Sequence, residues 1–287
     1  MSQPLVSVLM TAYNREKYIA EAIESVMNST YQNWELIIVD DCSKDRTVEI
    51  AKSYEARDHR IKVYINETNL GDYPNRNRAA SYAKGKYLKY VDADDMIYSH
   101  GLKVMVDSME KFPSAAIGLC KEQNNKNFYP YLIKPYDAYI EHFFNKSFLA
   151  NAPTSVIING EVFRKLNGFS GMRHVSDYEL WLRTAQMHDL VIIVNGLTFW
   201  RSHDEQEKTL GSMNFYRDLL NYQVEINFLE SDSCPFDNEL KEKAKWRIQR
   251  KNARKFLKFI KKGKYKNGFE YFKVMKLPIK NIFKAII

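Results

Sequence analysis

Over the first hundred positions the chain alternates between short, unbroken apolar runs and stretches where apolar residues recur every three or four places. Leu5-Val6-Ser7-Val8-Leu9-Met10 reads as a buried strand, and Thr11-Ala12-Tyr13-Asn14-Arg15 as the loop after it. Tyr18, Ala22, Ile23, Val26 and Met27 then fall on one helical face. A second buried strand, Trp34-Glu35-Leu36-Ile37-Ile38-Val39, ends in Asp40-Asp41-Cys42-Ser43. Residues Ser43 to Asp45 are helix-capping types, and Val48, Ile50, Ala51 and Tyr54 carry the next helix. Ile61-Lys62-Val63-Tyr64-Ile65 predicts a third strand. Asn69-Leu70-Gly71 follows, then a helix around Asn75–Ala83 that Gly85 is expected to end. A fourth strand, Tyr87-Leu88-Lys89-Tyr90-Val91, runs into Asp92-Ala93-Asp94-Asp95.

Beyond residue 100 the pattern is mixed. Leu102–Phe112 reads as a helix, Ala115–Cys120 as a strand, and Gln123–Tyr131 as polar and irregular. Val156-Ile157-Ile158 and Val191-Ile192-Ile193-Val194 read as strands, Glu161–Leu166 as a short helix, and Ser176–Met187 as a helix with Asp177 in its first turn. Near the end, Trp246, Arg250, Ala253, Phe256, Leu257 and Ile260 repeat at helical spacing. A second stripe, Phe269, Phe272, Met275, Ile279, Ile282, Phe283 and Ile286, is interrupted by Pro278.

The order β-α-β-α-β-α-β implies an α/β fold with a mostly parallel sheet and helices on both faces. Ligands in such sheets bind at the carboxyl ends of the strands. Three strand ends carry polar residues: Thr11 and Tyr13, Asp40 and Asp41, and Asp92, Asp94 and Asp95. The last cluster offers hard oxygen ligands suited to Mg²⁺ or Mn²⁺, which can neutralise a diphosphate. No glycine-rich phosphate loop is present, so the positive charge must come from elsewhere: a divalent ion on Asp94, helped by Arg76 or Arg78.

Composition narrows the class. At 287 residues and 45% hydrophobic, the chain suits one large folded α/β domain or two coupled halves. Three dispersed cysteines, Cys42, Cys120 and Cys234, form neither a zinc pattern nor a disulfide framework and point to a reducing cytoplasm. The start of the chain does not resemble a signal peptide, and no run of about 20 apolar residues predicts a membrane span. The net charge of +8 is uneven: residues 241–287 hold 17 Lys/Arg against two acids, whereas the other 240 residues hold 26 basic and 33 acidic side chains. The basicity belongs to the tail.

With these pieces in order, the chain resembles the family 2 inverting glycosyltransferases, which have the GT-A fold. The resemblance covers roughly residues 4–205. Its pieces are Val6 through Asn14, Ile37 through Ser43, Asn69-Leu70-Gly71, Arg76-Asn77, Gly85-Lys86-Tyr87, Asp92-Ala93-Asp94-Asp95, Gly168-Phe169 and Ser176 through Arg183. It implies a Rossmann-like nucleotide-sugar-binding half over 1–98, an acceptor-binding half over 99–215, and a helical, basic amphipathic extension over 216–287. It implies that Thr11, Ala12 and Tyr13 lie against base and ribose, with Arg15 in the same nucleotide loop. Asp41 would accept from the imide N–H of the base, Arg76 would approach base or diphosphate, and Asp92 would contact ribose or a metal-bound water. Asp94 would ligate Mn²⁺ or Mg²⁺, joined by His203 of Arg201-Ser202-His203. Asp177 would be the base that takes the acceptor's proton. Asp95, Glu179 and Arg201 are auxiliary or acceptor candidates. The family commonly has Glu or Asp before this base; here the residue is Ser176.

The function so implied is metal-dependent transfer of a hexosyl or N-acetylhexosaminyl group from a nucleotide-sugar, UDP first, to a hydroxyl of a glycan or lipid-linked glycan. A nucleotidyltransferase is one alternative, although the Thr11–Arg15 loop lacks glycine; an inactive membrane-associated scaffold is another. The polar stretch Ser202–Asn214 is a candidate lid. The basic amphipathic tail suggests an anionic membrane at the cytoplasmic face, with packing on the enzyme or on a second copy as the other reading. Nucleic-acid binding also fits the charge, but no recognised fold supports it, so no nucleic-acid partner is expected.

Overall fold

The computed structural model describes residues 3–124, 126–203 and 215–276. Two compact units emerge: residues 1–134, 151–180 and 188–202 form the first, and residues 135–150, 181–187 and 203–287 the second.

The first unit is built on one sheet. Strands β1 (Val6–Ala12), β2 (Trp34–Asp40), β3 (Ile61–Ile65) and β4 (Tyr87–Tyr90) alternate with helices α1 (Ile19–Met27), α2 (Thr47–Glu55) and α3 (Asp72–Ser81). They pair in parallel in the order β3-β2-β1-β4. Strands β6 (Ala115–Lys121), β7 (Tyr131–Ile133), β8 (Val156–Asn159) and β9 (Asp189–Val194) extend the sheet as β4-β8-β6-β9-β7. Here β8 is antiparallel to both neighbours, β6 and β9 are parallel, and β7 is antiparallel to β9. The sheet is thus parallel in the predicted half and mixed in the other. Two very short strands, β5 (Met96–Ile97) and β10 (Thr198–Phe199), pair separately. Helix α4 (Gly101–Lys111) precedes β6, and α6 (Gly160–Lys165) follows β8.

The apolar runs form strands because both sheet faces are covered. Val6, Val8, Leu9 and Met10 are all fully buried, as a strand flanked on both sides requires. Helix α1 buries Ile19, Ala22, Ile23 and Val26, and each large aliphatic side chain contributes roughly 1.5–3 kcal/mol by leaving water.

Gly85 does not end α3, whose last turn closes at Tyr82, three residues earlier. Its role is close approach. The Gly85 N–H donates to Ser7 Oγ at 2.8 Å, and an added Cβ would sit 2.5 Å from the Ser7 nitrogen and 2.9 Å from the Leu5 carbonyl oxygen. Gly85→Ala is therefore expected to destabilise the chain by about 1–3 kcal/mol, the usual cost of overpacking. Urea unfolding followed by circular dichroism would show it, and an unchanged midpoint would mean that the backbones can part without cost.

The second unit is helical. Helix α5 (Pro135–Ile140) continues into a π turn (Glu141–Asn145), and helices α8 (Phe215–Glu230), α9 (Asn238–Lys261) and α10 (Tyr265–Met275) follow. Helix α7 (Ser176–Met187) has its first turn in the first unit. Phe236 gathers the rings of Tyr136, Tyr139, Phe143 and Phe144 at 5.7–6.1 Å. Phe215, Tyr271 and Met275 form a second cluster, joined by Leu219, Tyr222, Phe256, Phe259 and Phe272. The described apolar stripe of the tail thus packs largely within its own unit, although Phe269 remains 63% exposed. Ile279, Ile282, Phe283 and Ile286, and the stretch 204–214 of the expected lid, lie outside the described residues. No helix among the described residues is long and apolar enough to cross a membrane.

Candidate active site

The carboxyl ends of β1, β2 and β4 lie side by side because these strands are neighbours and parallel. At the end of β1, Ala12 is buried and Tyr13 is 45% exposed. Thr11 pairs in register with Val39 of β2. Asn14 adopts a left-handed conformation, φ 52°, which Asn tolerates better than most residues. Its N–H donates to Ser43 Oγ at 2.9 Å, and the Arg15 N–H donates to Thr47 Oγ1 at 2.7 Å. The loop after β1 is therefore tied to the turn after β2.

At the end of β2 the two acids divide their work. Asp40 accepts from the Ser43 N–H and hydroxyl, the turn-capping role expected of an Asp after a strand. Asp41 is buried and accepts from Asn66 Nδ2 and the Leu70 N–H, both at 2.8 Å, and from the Gly71 N–H at 2.9 Å. These bonds make it the anchor of the Asn69-Leu70-Gly71 loop, a role that the sequence reading did not give it.

The acidic cluster after β4 is held from three sides. Asp92 accepts from Arg76 of α3 at 2.7 Å and from the Thr154 hydroxyl at 3.4 Å. Asp94 accepts from Arg15 Nε at 2.9 Å. Asp95 is buried and accepts from the Arg201 N–H at 3.1 Å and the Thr154 hydroxyl at 3.2 Å. Burial, then the Asp92 and Asp94 charges, push the Asp95 carboxyl up to about 7. Burial alone would raise Asp92 too, but the Arg76 charge and hydrogen bond outweigh it and leave Asp92 below its ordinary value. Arg201 clasps the same loop from outside: Nε donates to the Asp94 carbonyl at 3.1 Å, the guanidinium pairs with Glu21, and it lies 5.1 Å over the Tyr18 ring.

Arg76 is a positioning residue here. It is buried, forks between Asp72 and Asp92 at 2.7 Å each, and stands 5.6 Å over the Tyr90 ring. Arg78, its neighbour on the helix, is exposed.

Asp177, in the first turn of α7, is half-buried and receives a hydrogen bond from the Tyr178 N–H at 2.7 Å, with the Tyr73 hydroxyl near enough to act on its titration. Burial raises its pKa and outweighs the Tyr178 N–H bond, the Tyr73 hydroxyl and the Arg76 charge, which act the other way. Ser176 is fully buried, and its hydroxyl meets Ser170 Oγ and the Gly171 N–H, both at 3.0 Å. The small residue before Asp177 therefore ties down the preceding loop. Glu179 is buried on the same helix, 8% exposed. His203 is half-buried and belongs to the second unit.

Among the described residues no three His, Cys, Asp or Glu side chains converge as a metal cage. Mg²⁺ and its relatives do not need one where a substrate diphosphate completes the shell, since one or two carboxylates suffice. Asp94 fits that part, with the Arg15 guanidinium as its present partner. Asp95 fits it poorly, because burial favours its neutral form and its oxygens hold Arg201 and Thr154.

A family model described as glycosyl transferase family 2 matches residues 7–181. The chain belongs to this family. An uncharacterized glycosyltransferase of Methanocaldococcus jannaschii is 34% identical over 192 residues, which cover 64% of this chain and 65% of that one. The Escherichia coli UDP-Glc:alpha-D-GlcNAc-diphosphoundecaprenol beta-1,3-glucosyltransferase WfgD is 40% identical over 111 residues, 39% of this chain and 43% of that one. The chain spans less than two thirds of the length of the first curated relatives it matches. The Staphylococcus aureus TarS 1-349 structure in complex with UDP-GlcNAc superposes with a TM-score of 0.71 at 19% identity, covering 98% of this chain and 81% of that one. That likeness establishes the GT-A fold.

In this family 2 glycosyltransferase, three site residues escaped the sequence reading: Tyr73, Asp72 and Thr154. Tyr73 and Asp72 had a usable signal, because they stand three and four residues before Arg76 and so share its helix face. Thr154, in the short 3₁₀ turn Pro153–Ser155, had none.

Proposed function

We propose that this chain transfers a sugar from a nucleotide-sugar, UDP first, to a hydroxyl acceptor with inversion, during assembly of cell-surface polysaccharide or lipid-linked glycan at the cytoplasmic face of the membrane. One observation carries the reading: α3 presents Tyr73 to Asp177 and, one turn on, Arg76 to Asp92. A single rigid helix thus indexes the candidate base against the acidic cluster.

In this mechanism Thr11, Ala12 and Tyr13 cradle base and ribose, and Asp92 orients the ribose side. Asp41 serves the base through the loop it anchors as well as through its own carboxylate. Asp94 would hold a divalent ion, with His203 a candidate ligand by the family resemblance alone, and the ion would supply Lewis-acid stabilisation of the departing nucleoside diphosphate. Arg15, released from Asp94, is positioned to add positive charge. Asp177 accepts the acceptor's hydroxyl proton as that oxygen attacks the anomeric carbon, and the half-buried site keeps its basicity above that of a solvated Asp. WfgD, by its name, acts on a diphosphate-linked lipid, and its similarity supports that acceptor class.

The test is release of nucleoside diphosphate from a panel of UDP-, GDP- and dTDP-sugars with and without Mn²⁺. Asp94→Asn should lower Mn²⁺-dependent turnover by about 10²-fold, equivalent to roughly 2.7 kcal/mol of transition-state stabilisation. If the purified chain binds no member of the panel with Mn²⁺, the reading fails. Unaltered metal dependence in Asp94→Asn would remove Asp94 from the metal.

A further inference from the structure

The helical unit contains a cavity of about 370 Å³ that the transfer mechanism leaves unused. Its size lies within the span of roughly 300–1,000 Å³ usual for small-molecule sites. One wall is α9, from which Arg247, Arg250, Lys251 and Arg254 line it, with Trp246 beside them. The spacing i, i+3, i+4, i+7 puts these four cations on one helix face.

Like charges so arranged repel one another and weaken a helix. Elsewhere on α9 three cations are matched: Lys243 by Glu239, Lys245 by Glu242 and Glu230, Lys255 by Asp218. On the cavity wall Arg247 donates to the Phe144 carbonyl at 2.7 Å and stands 5.4 Å over that ring, which fixes it without neutralising it. Arg250 stands 4.9 Å over the Trp246 ring, and its Nε is buried with no hydrogen-bond partner among the described residues. One carboxylate, Glu225, also lines the cavity; it is buried, with partners of its own. Four cations therefore face one anion, and a buried donor faces no acceptor. Guanidinium forks match phosphate oxygens in geometry as well as charge. Trp246, 42% exposed, offers a flat surface for whatever the phosphate carries.

We infer that this cavity binds a phosphate or diphosphate group, with Trp246 packing against the sugar or prenyl portion attached to it. That the group belongs to the glycan acceptor rests on the transferase reading; that the cavity binds it does not. A flat membrane surface fits less well. Cations at a bilayer should flank an exposed apolar face, but Phe256, Phe259, Tyr271 and Phe272 pack with Phe215, Leu219 and Tyr222, and the cations line a concavity.

The experiment is calorimetric titration of the full chain with inorganic diphosphate in EDTA, which strips metal from the donor site. Binding is expected, and Arg250→Ala/Arg254→Ala should weaken it about 10- to 100-fold. Lys258→Ala/Lys261→Ala, on the same helix but away from the cavity, should stay within about twofold. Equal weakening by both pairs would reduce the effect to diffuse charge and overturn the inference, as would absence of binding to the wild-type chain. A soluble isoprenyl diphosphate and a sugar phosphate, titrated in parallel, distinguish the lipid-linked from the free source of the group. Vesicles containing phosphatidylglycerol test the remaining occupant: vesicle binding without diphosphate binding overturns the site. UDP binding with Mn²⁺ should be unchanged in the cavity variant. Its absence in the wild type would sink the transferase reading and leave this one standing.

Discussion

Asp177→Asn is expected to cut turnover by about 10²–10⁴-fold, the range for loss of a general base, while nucleotide affinity stays within about twofold. The amide keeps the shape of the side chain and its contact with the Tyr178 N–H, but cannot take a proton from the acceptor. The pH profile separates this role from a structural one. Burial holds the Asp177 carboxyl above the ordinary 3.8, so the acid limb of kcat/KM should lie above that value. The nearby Tyr73 hydroxyl favours the ionised carboxylate and opposes the rise. Tyr73→Phe should therefore move the limb to still higher pH, with the plateau largely kept. The stability sign is opposite to the activity sign. A carboxyl whose folded pKa exceeds its unfolded one contributes stability at low pH and loses that contribution as pH rises through the folded value. Activity rises over the window in which this contribution fades. Stopped assays from pH 4 to 8 read the limb directly. Unchanged turnover in Asp177→Asn would transfer the role to Glu179, and a limb moving down in Tyr73→Phe would mean that the hydroxyl does not touch the ionised form.

The parallel half of the fold was legible because β1 and β2, covered on both faces, carry near-continuous apolar runs, while β3 at the sheet edge alternates buried Ile61 and Val63 with exposed Lys62. Strands β5 and β10 have two residues apiece and β7 has three, too few for any period to show. Helix α3 was placed a turn late because it opens on Asp72-Tyr73-Pro74, with little apolar periodicity to mark the start. That slip hid Tyr73 and Asp72, which become visible once the helix face is drawn correctly. The carboxylates themselves stood out by position at strand ends. Their partners did not: Arg15 on Asp94 spans 79 residues and the Arg201 N–H on Asp95 spans 106, and such pairings follow only from the fold. The tail shows the converse limit. Its amphipathic spacing was plain, but spacing does not say what covers the stripe, and here other helices of its unit cover much of it.

Arg76→Met should be among the most damaging single changes outside the apolar core, at about 2–3 kcal/mol, because it leaves the half-buried Asp92 without its cation. Arg76 pairs with Asp72, which is 39% exposed, and with Asp92, which is 26% exposed, so most of the penalty should fall on Asp92. Arg76→Lys should rescue only part. One ammonium cannot reproduce a fork in which Nε serves Asp72 and a terminal nitrogen serves Asp92. The pH dependence supplies a second signature. In the wild type the paired Asp92 has a lowered pKa, so its stabilising contribution is present above the unfolded value of about 3.9 and lost as pH falls through the folded one. Without Arg76, burial and the neighbouring Asp94 and Asp95 should instead raise Asp92. The stability gap between wild type and Arg76→Met should then narrow as pH falls, first as Asp92 of the variant protonates at its raised value and further as pH passes through the lowered wild-type one, below which both carry a neutral Asp92. The double variant Arg76→Met/Asp92→Asn completes the cycle. It should unfold at higher urea than Arg76→Met alone, since it removes the stranded charge. If the double variant is instead the less stable of the two, the cost of Arg76→Met lies in lost packing against Tyr90, and the ion pair is not what holds the cluster to α3.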